Sequence, residues 1–292
     1  MSTPTAGETD EQVSDSERSS NTFLGDVWVN FVRWNIKAVR NRFVLFGSLV
    51  QPIIFLVLFT QVFGHAVGND LSGGTLNYTT FLLPAIVIQV SLVTGATSGI
   101  GLVNDIENGM FEKVLVSPMN RAAVFIGKTA AEMVRICVQI AIILVLGVIL
   151  GAEIKTGILG IVGLFAIGIL FSLWFVAFSN TVAVLTKDQE STIIAANFLQ
   201  FPLLFVSSAF LPLNALPEWI QTIAKVNPIT YGVDAARAFM LDANVMEVWN
   251  VTAFGGIWNT VVPAVAVLAV LDLALGGVAV YMINRASSAS VK

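Results

Sequence analysis

The chain carries little charge and has a single cysteine and a single histidine. Charged residues make up 12% of its 292 residues and hydrophobic residues 56%, whereas soluble domains carry about 25% charged residues. A chain this apolar lacks the polar groups needed to cover a water-soluble globule, which excludes a soluble enzyme, a disordered protein and a nucleic-acid binder. The composition therefore predicts an integral membrane protein.

The scarcity of metal-binding and nucleophilic side chains narrows the chemistry further. Cys137 is the only cysteine, which excludes an intramolecular disulfide and a cysteine-based metal cluster. His65 is the only histidine, which excludes a histidine-based zinc site. Gly127-Lys128-Thr129 resembles the end of a phosphate-binding loop, but that loop requires a glycine where this chain has Ala122. We expect no catalytic residue, no metal and no cofactor on this chain.

The N-terminal part divides by composition into an acidic tail and an amphipathic segment. Residues 1–22 are rich in Ser, Thr, Asp and Glu, and we expect a disordered cytoplasmic tail there, with a halophilic or regulatory role left open. Residues 23–42 predict an amphipathic interfacial helix with Trp28 and Trp34 in the headgroup layer, or else an extension of the first span. Its polar stripe, available to anionic lipid, consists of Asp26, Asn30, Arg33, Lys37 and Arg40.

Six apolar runs follow, and each is long enough to cross a membrane as a helix of about 20 residues. They lie at 43–64, 81–103, 124–151, 158–185, 191–213 and 258–283. We predict an all-α integral membrane protein with six transmembrane helices over 43–283 and a cytoplasmic tail over 284–292. With both termini in the cytoplasm, twelve Lys and Arg residues lie inside and three outside, so we expect a multi-pass protein of the plasma membrane in this orientation.

Asp272 is the one carboxylate deep in an apolar run, near the middle of the last predicted span. Burying a carboxylate there costs at least ~2.5 kcal/mol on insertion scales. Two interpretations stay open. One is a structural hydrogen bond to Asn197 or Gln200 of the fifth predicted span, and the other is a role in a translocation pathway.

A stripe of small residues on the second predicted span indicates how closely this helix can pack. Ser91, Gly95 and Gly99 lie four apart along the second predicted span, which permits close helix approach within the chain or between copies.

The two halves of the sequence share no motif, unlike the repeats of many secondary transporters. A self-contained secondary transporter or channel with Asp272 in its pathway stays the alternative function.

The predicted cytoplasmic connection 104–121 carries a short amphipathic pattern. Phe111, Val114 and Leu115 lie on one side at helical spacing, and Ser117-Pro118 ends the pattern. An exposed apolar edge on a short protruding helix is typical of a docking surface. The sequence therefore predicts a partner-binding helix at this end of the bundle.

The predicted outer connection contains two helix starts. Pro217 begins one, and Asn227 with Pro228 begins the other as cap and first helical residue. Both helices are too short and too polar to span a membrane, so we predict a re-entrant helical hairpin over 214–241. The side chains that can pair on it, three residues apart, are Asp234 and Arg237.

At these residues the sequence resembles the membrane subunit of type-2 ABC exporters, close to the daunorubicin-resistance permease group. The resemblance covers nearly the whole chain after residue 23. Its strongest stretches are Glu107-x-Gly109-x-x-Glu112-x-x-Leu115-x-Ser117-Pro118 and the run from Phe210-Leu211-Pro212 through Pro217-x-Trp219 and Asn227-Pro228-Ile229-Thr230-Tyr231 to Arg237.

The resemblance implies a non-catalytic permease paired with a second copy of itself or a similar permease. Each would dock a separate cytoplasmic ABC ATPase that binds ATP and Mg. An amphipathic or hydrophobic drug, lipid or glycan-linked substrate would pass between the copies. Segments 23–42 and 104–121 would be the connecting and coupling helices, and 214–241 the outer gate. The implied coupling interface is Glu107, Gly109, Phe111, Glu112, Leu115, Ser117 and Pro118; the implied gate residues are Pro217, Trp219, Asn227, Pro228, Tyr231, Asp234 and Arg237.

Overall fold

The structure, a computed structural model, describes residues 23–67, 77–110, 119, 121–246, 248–249 and 251–289. These residues form nine α-helices and a 3-10 turn at Leu213–Ala215. The helices are α1 (Phe23–Arg40), α2 (Arg42–Val67), α3 (Tyr78–Glu107), α4 (Arg121–Ile149), α5 (Ile158–Thr186), α6 (Gln189–Phe205), α7 (Glu218–Ala224), α8 (Pro228–Leu241) and α9 (Trp258–Ala289). The predicted acidic tail 1–22 lies outside the described residues.

Five helices of the described chain are long and apolar enough to cross a membrane. These stretches are Leu45–Gly64, Tyr78–Glu107, Ala122–Ile149, Ile158–Thr186 and Trp258–Val278. They coincide with five of the six predicted spans, and the prediction of an all-helical membrane protein is confirmed. Helix α9 continues past the predicted end of the last span, to Ala289.

The fifth predicted span, 191–213, is only partly helical. Helix α6 has 17 residues, which at 1.5 Å per residue reach about 25 Å, short of a hydrocarbon core of about 30 Å. Pro202 lies in its last turn, and the backbone from 206 to 211 is not helical. The described residues therefore do not confirm six transmembrane helices. Ser207, Ser208 and Ala209 are buried, as non-helical backbone at membrane depth must be.

Helix α1 is amphipathic, but its polar stripe faces the protein. Asp26, Asn30 and Trp34 are buried, and the helix packs along α4. The apolar side faces outward, with Leu24 75% exposed and Trp28 63%. The predicted headgroup position is therefore wrong for Trp34, because neighbouring helices supply the polar groups that its side of α1 contacts.

Helix α3 forms the centre of the bundle and packs against α2, α4, α5, α6 and α8. Its small residues face α5 within the chain. A Cβ on Gly95 would lie 3.1 Å from the Phe175 Cβ, and one on Gly99 would lie 2.4 Å from the Ser179 carbonyl oxygen. The backbone N–H of Gly99 also donates to the Ser179 Oγ at 3.0 Å. The stripe thus packs two helices of one chain, which decides between the alternatives that the sequence left open.

The two short helices predicted within 214–241 are present as α7 and α8. Asn227 caps α8 by accepting a hydrogen bond from the Ile229 N–H at 2.9 Å, and Pro228 occupies the first turn. Every residue of α8 from Ile229 to Leu241 is buried, and α8 packs on α3, α5 and α9. Helix α8 is therefore a core element of the bundle, whereas α7 lies at its surface.

Large apolar faces point away from the bundle on α2, α6 and α9. Only 17% of the apolar stretches of α2 and α9 is buried within the chain. On α6, Phe198 is 80% exposed and Ile194 60%. Apolar surface on this scale needs a lipid or protein neighbour, which agrees with a membrane-embedded chain.

Candidate functional site

Two polar clusters lie within the apolar helical body, one towards each end of α3. The first, which we term the Trp34 cluster, surrounds the C-terminal half of α3. The second, the Arg237 network, surrounds its first turns. The Trp34 cluster consists of Arg33, Trp34, Lys37, Asp105, Lys128, Glu132 and Arg135; the Arg237 network consists of Tyr78, Phe81, Ser208, Ala209, Asp234 and Arg237.

Asp105, in the last turn of α3, fastens α1 to the end of that helix. Its Oδ2 lies 2.9 Å from an Arg33 guanidinium nitrogen, and its Oδ1 lies 2.7 Å from the Lys37 ammonium. The Asp105 side chain is nearly buried, whereas Arg33 and Lys37 are partly exposed. Charge-assisted bonds of this length are strong, so α1 and the end of α3 form one mechanical unit.

Lys128, on α4, is buried against α3, α5 and the ring of Trp34. Its ammonium donates to the Ser98 carbonyl oxygen at 3.0 Å, to the Ser98 Oγ at 2.5 Å and to the Asn180 Oδ1 at 2.8 Å. It also lies 5.2 Å from the centre of the Trp34 ring. Three donated hydrogen bonds use its full capacity, so Lys128 holds α1, α3, α4 and α5 together and is not a phosphate-binding lysine.

Glu132 and Arg135 complete the Trp34 cluster one and two turns further along α4. They form an ion pair at 2.8 Å. Arg135 also donates to the Thr94 carbonyl oxygen at 2.9 Å and to the Thr97 Oγ1 at 2.8 Å, both on α3. The cluster therefore joins α3 and α4 by charged groups rather than by apolar packing alone.

The residues just beyond Asp105 contact the beginning of α6. The Gln189 amide nitrogen donates to the Glu107 Oε2 and to the Asn104 Oδ1, each at 2.8 Å. Hydrogen bonds from Ser191, side chain first and then backbone, hold the pKa of Asp188, the cap of α6, below its usual range. Gly109 then turns the chain with φ +67°, a conformation that favours glycine.

The described residues include part of the predicted coupling interface. Glu107 is exposed and Gly109 is half-buried at the end of α3. Residues 104–107 belong to α3, which ends at Glu107, so the predicted coupling helix does not begin at 104. Phe111, Glu112, Leu115, Ser117 and Pro118 lie outside the described residues, and a helix over that part stays a prediction.

Arg237 holds the non-helical backbone that follows α6. Its guanidinium donates to the carbonyl oxygens of Ser208 at 2.7 Å, Ala209 at 2.9 Å and Phe81 at 3.2 Å. It also lies 3.9 Å from the Asp234 carboxylate, three residues earlier on α8. The pairing of Asp234 with Arg237 that the sequence predicted is therefore present. Arg237 is 2% exposed. A buried guanidinium with this many partners holds the non-helical backbone after α6 in one conformation.

Asn227 and Tyr78 satisfy further carbonyl groups of the same break. The Asn227 amide donates to the Leu203 carbonyl oxygen at 2.6 Å and to that of Val206 at 2.5 Å. The Tyr78 hydroxyl donates to the Phe210 carbonyl oxygen at 3.0 Å. Side chains from α3 and from the start of α8 thus replace the missing helical hydrogen bonds.

The remaining predicted hairpin residues take different positions. Trp219, on α7, is 64% exposed, and Pro217 precedes that helix. Tyr231 is buried, and its hydroxyl donates to the Lys225 carbonyl oxygen at 2.6 Å, which ties α8 to the end of α7. The predicted gate residues therefore combine a buried anchor with an exposed surface helix.

Asp272 does not pair with the fifth predicted span. Both of its carboxylate oxygens are buried, and among the described residues the polar group that acts on them is the Trp174 backbone of α5 rather than a side chain. Helix α9 packs mainly on α5 and α8, whereas Asn197 is exposed on α6 and Gln200 is buried there. The structural hydrogen bond that the sequence suggested is thus not formed in the described chain.

The family model of the ABC-2 type transporter matches residues 25–241, which is most of the chain. The chain belongs to the ABC-2 type transporter family. The matched range contains both polar clusters and ends with α8, so the two clusters are part of the ABC-2 domain of this chain.

Several relatives of this ABC-2 chain are named as permeases. The daunorubicin resistance ABC transporter permease protein DrrB1 of Streptomyces coeruleorubidus is 29% identical over 67% of this chain and 68% of its own length. A putative transport permease, ycf38, of Cyanophora paradoxa is 29% identical over 77% and 78%. A probable doxorubicin resistance ABC transporter permease protein, DrrC, of Mycobacterium tuberculosis is 24% identical over 80% and 83%. The resemblance predicted from the sequence is confirmed.

Sequence reasoning missed most of the Trp34 cluster in this ABC-2 chain. The sequence patterns assign no role to Asp105, Glu132 or Arg135, and they point to Lys128 only as part of a failed phosphate-binding loop. A helical spacing of three and four residues between the charges was the available signal. Their partners lie on other helices and are invisible to local patterns. Among the described residues, no group of three or more His, Cys, Asp and Glu side chains forms a metal site.

Proposed function

We propose that this chain is the permease subunit of an ABC exporter. It would form the pathway for an amphipathic or hydrophobic substrate while a separate ATPase supplies the energy. The family match and the relatives named as drug-resistance permeases support transport. Families of this kind supply membrane subunits rather than catalysts, so ATP and Mg would be bound by the partner.

The observation that carries the proposal is how the end of α3 is fastened. Asp105 ties it to α1, and Glu107 with Asn104 ties it to the start of α6. The segment that resembles a coupling helix follows α3 in the sequence at this point. A force applied there would reach α1, α3 and α6 through short polar contacts rather than through flexible chain. Such contacts allow a movement at the end of α3 to shift these helices between two discrete arrangements.

The opposite end of α3 supports a role for 214–241 as a gate. A break after α6 held by Arg237 and Asn227 is an irregular element in a helical membrane body, and such elements occur where they are buried in protein or line a water-filled cavity. With both termini in the cytoplasm of a plasma-membrane protein, this end would face outward. Substrate would then leave past α7 and α8.

The pathway itself would lie between two copies of the chain, or between it and a similar permease. The outward apolar faces of α2 and α6 support such pairing. The cargo would be a drug, a lipid or a glycan-linked molecule. A self-contained secondary transporter is the second candidate, favoured by the buried carboxylate of Asp272, because intramembrane carboxylates are expensive and often functional.

The proposal is tested by charge reversal and polar substitution in the coupling segment. We expect Glu112→Arg and Phe111→Asp to abolish ATP-driven transport in proteoliposomes and to weaken co-purification with the ATPase. Membrane insertion and thermal stability of the permease should not change. Glu153→Arg, an exposed charge reversal after α4, serves as the control and should transport normally. Normal transport by both coupling variants would show that the docking assignment is wrong.

A further inference from the structure

A cavity of about 450 Å³ lies between α1, α2, α3 and α4, beside the Trp34 cluster. Its volume falls within the range of about 300–1,000 Å³ that is usual for small-molecule sites. Three charged side chains line it, the cations Lys37 and Arg135 against the carboxylate of Glu132, and Trp34, Phe43 and Val93 line it with apolar surface. The proposed transport function assigns nothing to this cavity, which combines a charged part with an apolar part.

The mouth of the cavity lies where α1 gives way to α2. Of the residues that line the cavity there, Asn41 and Gly47 are exposed, and Phe43 is 88% exposed. This is the junction between an amphipathic helix and a membrane span, which places the opening at the boundary between headgroups and acyl chains. A molecule reaching the cavity from the bilayer can therefore enter with its headgroup beside α1.

The charge of the Trp34 cluster is not balanced by the protein. Four cations face two carboxylates: Arg33, Lys37, Lys128 and Arg135 against Asp105 and Glu132. Lys128 already uses all its donors within the protein. When Lys128 is left out of the count, three cations face two carboxylates, which still leaves one excess positive charge. The Arg135 Nε also has no hydrogen-bond partner among the described residues. A bound anion would offset this excess positive charge, most of all at Arg135, whose side chain is nearly buried.

We propose that this cavity binds an anionic phospholipid from the membrane leaflet at this end of the bundle. Its phosphate would lie at Lys37 and Arg135, and one acyl chain would lie along Trp34, Phe43 and Val93. The apolar lining and the position of the mouth favour a lipid over a free phosphate ion. The bound lipid would hold α1 against the first membrane span, next to the segment that the proposed function assigns to coupling.

The location of the site is tested by filling it. A Cβ built on Gly47, which lines the cavity, meets no heavy atom within 4 Å, and the same holds for Gly64 on the same helix. Full-length Gly47→Leu and Gly64→Leu proteins would be titrated with phosphatidylglycerol in detergent, with bound lipid counted by native mass spectrometry. We expect Gly47→Leu to lose the tightest-bound lipid and Gly64→Leu to keep it. Equal retention by both variants would overturn the proposal.

The headgroup contact is tested by removing one of the cations that line the cavity. Lys37→Gln removes a partly exposed cation that lines the cavity, and Arg40→Gln removes an exposed one that does not. Losing one charge-assisted bond should weaken phosphatidylglycerol binding about tenfold in Lys37→Gln, with no change in Arg40→Gln. Binding that is equally weakened in both variants would mean a diffuse surface effect, contrary to the proposal.

Competitors distinguish the sources of the anion. Dodecyl phosphate should displace the phosphatidylglycerol, whereas dodecyltrimethylammonium, with the same chain and opposite charge, should not. Glycerol phosphate that displaced the lipid as well as dodecyl phosphate does would exclude a role for the chain and overturn the lipid assignment. Phosphatidylcholine retained as tightly as phosphatidylglycerol would overturn the role of the positive charge.

Discussion

Arg237 gives the sharpest prediction on stability, because one buried guanidinium serves several partners. It donates to the carbonyl oxygens of Phe81, Ser208 and Ala209 and pairs with Asp234. Replacing it with Met keeps an apolar stem of similar length. The change leaves these carbonyl groups without their donor in a site that water does not reach.

The expected loss is large for a single substitution. Removing one partner of a buried ion pair costs about 3–5 kcal/mol, because the other charge stays buried. At roughly 2–4 °C per kcal/mol for a chain of this size, the midpoint of thermal unfolding should fall by roughly 10 °C. Combining Arg237→Met with Asp234→Asn should recover about 1–2 kcal/mol, since it removes the negative charge that the single substitution leaves buried beside Ser208.

The assay is thermal unfolding of purified variants in one detergent, followed by intrinsic fluorescence. Lys225→Met is the matched control: it removes a cation from the exposed end of α7 and should change the free energy of unfolding by less than about 0.5 kcal/mol. If Arg237→Met unfolded at the same temperature as Lys225→Met, the Arg237 network would not hold the break after α6.

Three further substitutions test the packing and the coupling. Gly99→Ala should destabilise the chain by about 1–3 kcal/mol, since its Cβ would lie 2.4 Å from the Ser179 carbonyl oxygen. Gly276→Ala is the control and should not destabilise the chain, because its Cβ meets nothing within 4 Å. Equal melting temperatures of the two variants would contradict the close contact between α3 and α5. Asp105→Asn should uncouple ATP hydrolysis from transport without preventing co-purification with the ATPase, and tightly coupled transport by this variant would contradict its role. Asp272→Leu should raise the stability by up to about 2.5 kcal/mol, since it removes a buried carboxylate that no side chain pairs with among the described residues; lost transport in this variant would favour the secondary transporter.

Five of the membrane spans follow directly from hydrophobic run length, because an apolar stretch of about 20 residues has few alternatives to helix in a bilayer. The fifth predicted span could not be resolved in this way. Its sequence stays apolar to Leu213, yet the helix ends at Phe205, because Asn227 and Arg237 from distant positions supply donors to the backbone that follows. Hydrophobicity alone does not report such donors.

The polar clusters show the same limit. The spacing of polar residues correctly predicts that α1 is amphipathic, but not which neighbour its polar side meets. Asp105 and Lys128 are separated from their partners by 68 to 72 residues and by 30 to 52 residues respectively. Only the packing of four helices brings them together. Asp234 and Arg237, three residues apart, could be paired from the sequence because a single turn of helix places them side by side.

The central claim is that this chain moves its cargo only when a separate ATPase drives it. The most direct measurement is substrate movement across proteoliposomes that contain the permease alone, or the permease together with a partner ABC ATPase, each with and without ATP. We predict transport only when permease, ATPase and ATP are all present, and none with a hydrolysis-deficient ATPase. Transport by the permease alone, driven by an ion gradient, would contradict the account.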